Sequence, residues 1–148
     1  QRRLKNYYDP YHEKIDQLLI ELKKEFGLVL FWDAHSIRRN VRTIQRDDFP
    51  DLILGNNDET TASKKLIKTA LKSLKSGGLN VQHNRPFKGG YITRSKGDPS
   101  NGIHALQLEM SKDLYMQNNE RDYDSEKAIK IKTILKQTFT QLISCLHE

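Results

Sequence analysis

The fold is decided by the stretch LVLFW, Leu28 to Trp32, which is continuously apolar and does not alternate with polar residues. An unbroken apolar run of this length is typical of a strand buried on both faces of a parallel sheet. Before it, apolar residues recur at helical spacing from Tyr11 to Phe26. We predict a helix with Asp9 as its N-cap and Pro10 in its first turn, ending at Gly27. A helix followed by a buried strand indicates an α/β domain.

The same alternation of helix and strand patterns continues toward the C-terminus. Helical periodicity predicts two more helices, at about 61–76 and 125–146, and the polar stretch 34–50 is a long loop. The other predicted elements are strands at 51–54, 79–82, 91–93 and 103–110. We therefore expect an α/β fold, with a mixed or parallel sheet flanked by helices, in a single domain that covers residues 1–148.

The composition excludes several classes of protein. Of the 148 residues 36% are hydrophobic, and no apolar run approaches the roughly 20 residues that cross a bilayer, so we expect no membrane association. The single cysteine, Cys145, fits a reducing compartment, and the polar N-terminus does not resemble a secretory signal, so we expect a cytoplasmic protein. The sequence begins at Gln1 and not at Met, so we expect the natural protein to begin earlier.

The net charge of +6 raises the question of a nucleic-acid partner. Lysines at helical spacing, such as Lys64, Lys68, Lys72 and Lys75, are typical of the solvated face of an amphipathic helix. Because no basic run is interleaved with aromatic residues, we expect no nucleic acid and favour a small anionic substrate. A non-catalytic basic module that binds an acidic partner or nucleic acid remains an alternative. The sequence does not indicate the oligomeric state.

A polar cluster, Asp33-Ala34-His35-Ser36, directly follows the buried strand. Ligands of open α/β sheets bind beyond the carboxyl ends of the strands, where this cluster is expected to lie. Asp33 and His35 are two residues apart, so an extended backbone directs both side chains to one side of the sheet. An imidazole is a preferred zinc ligand, and a neighbouring carboxylate orients the ring or binds the metal itself. A turn with a surface histidine is the alternative.

Two further segments carry candidate chemistry. Gln107 and Glu109 share one face of the last predicted strand, where partial burial raises the pKa of a carboxylate toward that of a general base. The alternative is an exposed Glu109 at the start of a helix. Gly89 and Gly90 let the backbone approach a ligand closely, and the planar guanidinium of Arg94 matches a carboxylate. A hairpin turn with an exposed arginine is the alternative there.

Taken in chain order, these segments resemble the N-formylglutamate amidohydrolase (deformylase) family. The resemblance spans nearly the whole chain and rests on five spaced stretches: YYDPYH at 7–12, LFWDAHSIR at 30–38, PDLILG at 50–55, RPFKGGYITR at 85–94 and HALQLE at 104–109. Each stretch is weak evidence alone, but five of them in the same order make a specific signal.

The resemblance implies a sandwich similar in fold to the zinc carboxypeptidases and aspartoacylases. It also implies zinc-dependent hydrolysis of N-formyl-L-glutamate to formate and glutamate, a step of histidine degradation. His35 would be a zinc ligand positioned by Asp33, and Glu109 the general base and acid. Arg94 would be catalytic or substrate-binding, and further substrate contacts are implied for Arg3, Arg38, Gly90 and Tyr91.

The chain also departs from the family pattern. Family members have a further N-terminal segment that supplies the other zinc ligands, so we expect this chain to be the C-terminal portion of such a domain; its activity by itself is left open. Arg42-Thr43 stands where a proline and an arginine are usual, Glu59 where a glycine is usual, and Ser95 where histidine is common. A related zinc hydrolase of another acylated amino acid or peptide is therefore the alternative.

Overall fold

The computed structural model describes residues 1–147, which form a four-stranded sheet and its flanking helices. Helix α1 follows a π-helical turn at Leu4–Tyr8, and short 3-10 turns lie at Pro99–Asn101 and Lys112–Leu114. The helices are α1 (Asp9–Phe26), α2 (Lys64–Ser76), α3 (Tyr91–Lys96) and α4 (Ser125–His147). The strands are β1 (Val29–Ile37), β2 (Leu52–Gly55), β3 (Val81–His83) and β4 (Ile103–Ser111).

The sheet is mixed, with the strand order β1-β4-β2-β3. Strand β4 runs parallel to β1 and antiparallel to β2, while β2 and β3 are parallel. The expected α/β fold with a mixed sheet flanked by helices is therefore confirmed. Strand β4 lies inside the sheet, and five of its consecutive residues, 104–108, are buried.

Strand β1 corrects the interpretation of the apolar run LVLFW. It lies at the edge of the described sheet, and of its nine residues only Val29 is buried, so the prediction of burial on both faces is wrong for these residues. It also continues to Ile37, so His35 lies within the strand and not in the loop predicted at 34–50. Pairing with β4 along all nine residues explains the extension, because it gives hydrogen-bond partners to backbone N–H and C=O groups of this polar segment.

Two other local predictions are wrong. Residues 91–93 were predicted as a strand because of Ile92 and Thr93, but they begin helix α3, whose first turn is closed by the Arg94 N–H bonding to the Gly90 carbonyl. Asp9 has helical backbone angles and does not act as an N-cap, because α1 continues directly from the preceding π-helical turn. Pro10 lies in the first turn and Gly27 ends the helix, as predicted.

The core lies between the sheet and helices α2 and α4. It contains apolar residues of β2, β4 and both helices, among them Leu54, Leu74, Leu106 and Leu142, each at most 1% exposed. Helix α1 contributes only Leu19 to the buried set, while five large apolar residues of its helical pattern are exposed: Tyr11, Leu18, Ile20, Leu22 and Phe26. None of the helices in residues 1–147 is long and apolar enough to cross a membrane.

Candidate active site

The candidate site is built on two parallel strands whose polar residues are in register. Asp33 of β1 is paired with Gln107 of β4, and His35 is paired with Glu109. Paired residues on neighbouring strands direct their side chains to the same face, and residues two apart share that face. The prediction that Asp33 and His35 leave one side of the sheet is confirmed: His35 Nε2 lies 2.9 Å from Asp33 Oδ1.

Asp33 is held from two sides. Its Oδ1 contacts the His35 ring, and its Oδ2 accepts a hydrogen bond of 3.0 Å from the hydroxyl of Thr93, which is fully buried on α3. A carboxylate fixed by a buried hydroxyl is a rigid partner for an imidazole and sets the orientation of the ring. The geometry therefore gives Asp33 the means to position His35. Thr93 was not singled out from the sequence, because the predicted strand at 91–93 gave no reason to pair it with Asp33.

Glu109 is half-buried on β4, beside His35. Burial raises the pKa of Glu109 above the ordinary glutamate value; the nearby His35 opposes this rise and the charge of Asp33 adds to it. Burial raises the pKa of a carboxyl because a low-dielectric surrounding disfavours its charged form. Glu109 thus has the property that a general base needs, a proton affinity closer to neutral pH than that of an exposed carboxylate.

The loop that follows β3 and the start of α3 lie against these residues of β1 and β4. The Gly90 N–H donates to Gln107 Oε1 at 2.5 Å, and Arg94 Nη1 donates to the Gly89 carbonyl at 2.5 Å. Gly89 has a φ of +124°, which favours glycine. Gly55 allows the loop to approach β2, because a Cβ there would lie 2.8 Å from Gly89 N and from Lys88 C.

A cavity of about 430 Å³ lies where these segments meet. It brings together four of the residues singled out from the sequence, His35, Glu109, Arg94 and Gly90. The other residues that line it are Pro86, Phe87, Lys88, Gly89 and Gln107. Basic groups of His35, Lys88 and Arg94 thus share the cavity with the carboxyl of Glu109. A small anion fits a cavity with this distribution of charge.

Three other residues predicted to contact substrate lie outside this cavity lining. Arg38 follows β1, is mostly exposed and pairs with Glu120 in a separate depression. Tyr91 is exposed, and its ring contacts the rings of Tyr8 and His12. Arg3 is an exposed residue of the N-terminal helical turn. The roles proposed for these three residues stay predictions.

Residues 1–147 do not form a complete zinc site by themselves. Within residues 1–147 no group of three or more histidine, cysteine, aspartate or glutamate side chains could hold a metal ion. A catalytic zinc usually has three protein ligands and one open position. His35, with its ring oriented by Asp33, therefore offers one candidate ligand.

The chain resembles known proteins in both sequence and fold. The sequence profile of the N-formylglutamate amidohydrolase family matches residues 1–116. Proteins named N-formylglutamate deformylase from Pseudomonas putida and Pseudomonas aeruginosa are each 34% identical to the chain over 146 residues, which are 97% of this chain and 54% of theirs. The chain thus spans about half the length of the curated relatives it matches.

Two solved structures resemble the fold. The crystal structure of N-formylglutamate amidohydrolase from Ralstonia eutropha JMP134 superposes with a TM-score of 0.82 at 27% identity, covering 99% of this chain and 53% of that one. The gene product Atu2144 from Agrobacterium tumefaciens shares the fold, with a TM-score of 0.68 at 18% identity over 97% of this chain and 53% of that one. Since the family profile matches most of the sequence and the fold agrees, the chain belongs to the N-formylglutamate amidohydrolase family.

Proposed function

We propose that the protein to which this chain belongs hydrolyses N-formyl-L-glutamate to formate and glutamate in histidine degradation. The observation that carries the proposal is the cavity in which Glu109, His35 and Arg94 converge. Membership of the family and the names of its Pseudomonas and Ralstonia members support this substrate. The proposal includes a cytoplasmic location, as expected for a step of amino-acid breakdown.

Substrate binding is assigned to the basic groups of the cavity. Arg94 is anchored through Nη1 to the Gly89 carbonyl, which leaves the other N–H groups of its guanidinium available to a substrate carboxylate. Lys88 lines the same cavity and pairs with Asp58, an exposed carboxylate that a bound anion could replace. Two cationic side chains fit a substrate that carries two carboxylates.

Proton transfer is assigned to Glu109. Its carboxylate takes a proton from the water that attacks the formyl carbon and returns that proton to the glutamate nitrogen as the C–N bond breaks. Water thereby supplies the hydroxyl of formic acid and the hydrogen of the released amine. The raised pKa of Glu109 supports this role, since a group that both accepts and returns a proton works best near the ambient pH.

The proposal includes zinc, with His35 as one ligand and Asp33 holding the ring. Asp33 occupies Nε2 of the imidazole in the described geometry, which leaves Nδ1 for a metal. A zinc ion at this site would lower the pKa of a bound water and polarise the formyl oxygen. The likeness to zinc carboxypeptidases stays a prediction, as do the remaining ligands.

We further propose that other parts of the full-length protein complete the site at the β1 edge. Within residues 1–147, β1 pairs only with β4, and Asp33 and His35 lie on it. Apolar residues of α1, including Leu18 and Phe26, are also exposed. The curated relatives are almost twice as long as the matched stretch, so they contain further residues that could cover this surface.

Formate release by the full-length protein tests the proposal. We expect formate release from N-formyl-L-glutamate to depend on zinc and to be faster than formate release from N-formylaspartate or acetate release from N-acetylglutamate. Faster hydrolysis of another acylated amino acid would favour the related hydrolase that the departures at Glu59 and Ser95 leave open. No hydrolysis of any member of this panel by the zinc-loaded protein would refute an amidohydrolase function.

A further inference from the structure

We infer that Asn56 and Asn84 are positioning residues, which together hold the loop from Pro86 to Gly90 and through it the guanidinium of Arg94. The expected changes in KM rest on the proposed function, whereas the positioning of the loop is inferred from geometry alone. Both asparagines lie just beyond the carboxyl ends of the parallel strands β2 and β3. Neither belongs to the cavity lining.

The two side chains form a reciprocal pair. The Asn56 backbone N–H donates to Asn84 Oδ1 at 2.9 Å, and Asn84 Nδ2 donates to Asn56 Oδ1 at 2.8 Å. Asn56 is fully buried and Asn84 is 9% exposed, so water cannot readily replace these bonds. Asn56 Oδ1 also accepts a hydrogen bond from Glu59 N at 3.2 Å and lies 3.0 Å from His83 Nε2. We call these two residues the asparagine pair.

The backbone around the asparagine pair is unusual. Asn84 has a φ of +56°, and the three residues after Asn56 also have positive φ, between +49° and +68°. None of these four residues is glycine, so each of them holds a conformation that L residues adopt at a cost. The bonds of the asparagine pair supply a local reason for this conformation.

The pair is connected to Arg94 by successive hydrogen bonds. The turn that Asn56 begins directs the Asn57 N–H to the Lys88 carbonyl, with an N···O distance of 2.6 Å. Lys88 is followed by Gly89, whose carbonyl accepts the 2.5 Å bond from Arg94, and then by Gly90, which bonds to Gln107. A shift of the turn would therefore move the carbonyl that anchors the proposed substrate-binding guanidinium.

Substitution of Asn84 tests this inference in the full-length protein. Aspartate tolerates the left-handed conformation as asparagine does, but an ionised carboxylate at position 84 would face Asn56 Oδ1 with no proton to donate. For Asn84→Asp we expect the KM for N-formyl-L-glutamate to rise roughly tenfold, with a smaller change in kcat. Asn84→Gly breaks the same side-chain bonds and suits the positive φ, so it serves if the aspartate variant does not fold.

Asn56→Asp tests the other member of the pair. It puts a carboxylate at a fully buried position, where an ionised group is costly, so we expect its KM to rise in the same direction as that of Asn84→Asp. Asn118→Asp, an exposed substitution of the same kind, is the control and should leave the KM unchanged.

Two measurements separate positioning from a general loss of stability. If the pair acts through Arg94, the KM of Asn84→Asp combined with Arg94→Ala should be close to that of Arg94→Ala alone. Amide hydrogen exchange at Asn57 and Gly90 should also become roughly tenfold faster in Asn84→Asp, and this readout does not depend on the substrate. Additive kinetic effects, or unchanged exchange at both amides, would overturn the inference. If the wild-type protein does not hydrolyse the substrate, the proposed function fails, and exchange alone decides the role of the pair.

Discussion

His35 and Glu109 are register partners on the neighbouring parallel strands β1 and β4, and both line the same cavity. Register fixes this relationship through backbone hydrogen bonds, so it does not depend on flexible side-chain contacts. Two residues that are 74 positions apart in the sequence thereby lie side by side on one face of the sheet. An imidazole and a half-buried carboxyl that are held side by side on rigid strands are well placed for hydrolytic chemistry.

The first prediction concerns turnover by Glu109→Gln. Glutamine keeps the size of the side chain but cannot accept and return a proton, so kcat for formate release should fall about 10²–10⁴-fold. Bound zinc per chain, measured by atomic absorption, should not change. Glu126→Gln, an exposed substitution on α4, is the control and should keep full activity. A fully active Glu109→Gln variant would show that another group acts as the base.

The second prediction concerns the pH dependence of stability at the same residue. Because burial raises the pKa of Glu109 in the folded state, its contribution to stability is present below its unfolded pKa and is lost as pH rises through the folded value. Relative to the wild type, Glu109→Gln should therefore gain free energy of unfolding as pH rises from about 4 to 7. Denaturant titrations of both proteins across this range measure the difference. A difference that does not vary with pH would contradict the raised pKa.

The third prediction concerns Arg39, which lies between β1 and β2. Its guanidinium, 27% exposed, bonds to both Asp113 oxygens at 2.8 and 2.9 Å, to Asp51 Oδ1 at 2.6 Å and to the Phe49 carbonyl at 2.8 Å. Arg39→Met should cost roughly 1–2 kcal/mol of unfolding free energy, between the values for exposed and buried ion pairs. Arg42→Met is an exposed control on the same loop and should cost much less.

Acid adds a second test of this ion pair. Burial by itself would raise the pKa of Asp113, but the hydrogen bond and charge of Arg39 lower it overall. A lowered pKa gives stability that is present above the unfolded value and is lost as pH falls through the folded one. The stability difference between wild type and Arg39→Met should therefore shrink below about pH 4. A constant difference down to pH 2 would exclude the ion pair as its cause.

The sequence predicted the proximity of Asp33 and His35 correctly, but it did not predict all of the elements around them. Spacing alone placed Asp33 beside His35, because a period of two holds wherever the backbone is extended. It could not show that β1 lies at an edge of the described sheet, since the apolar run from Leu28 to Trp32 is equally compatible with an inner strand. Nor did it identify α3, because the β-branched Ile92 and Thr93 favour a strand, and the bond that closes the first turn follows from tertiary structure.

Gly55 illustrates a contact that sequence reasoning could not predict. The residue ends β2, and its lack of a side chain lets the backbone of Lys88 and Gly89 approach the sheet. Close approach between segments 33 residues apart leaves no periodic pattern in the sequence. Only the fold reveals why a glycine is needed there.

The fourth prediction concerns zinc. We expect the full-length protein to bind about one zinc ion per chain, and His35→Ala to lower the affinity roughly 100-fold or more. Residues 1–148 expressed alone should bind zinc much more weakly, since residues 1–147 contain no group of three suitable ligands. Isothermal titration with zinc compares the three proteins, and His147→Ala is a control for surface histidines. Equal affinity of the wild type and His35→Ala would remove His35 from the proposed ligands.

The fifth prediction concerns Gly55→Ala. The added Cβ would lie 2.8 Å from two backbone atoms of the loop, Gly89 N and Lys88 C, and backbone yields less easily than a side chain. The loop should therefore move away from the sheet, and the KM for N-formyl-L-glutamate should rise roughly tenfold. Gly77→Ala is a matched control, because the three atoms nearest to its Cβ all belong to the side chain of Ile134 on α4 and not to backbone. We expect Gly77→Ala to lower the melting temperature without changing the KM. An unchanged KM in Gly55→Ala would mean that the position of this loop does not control substrate binding.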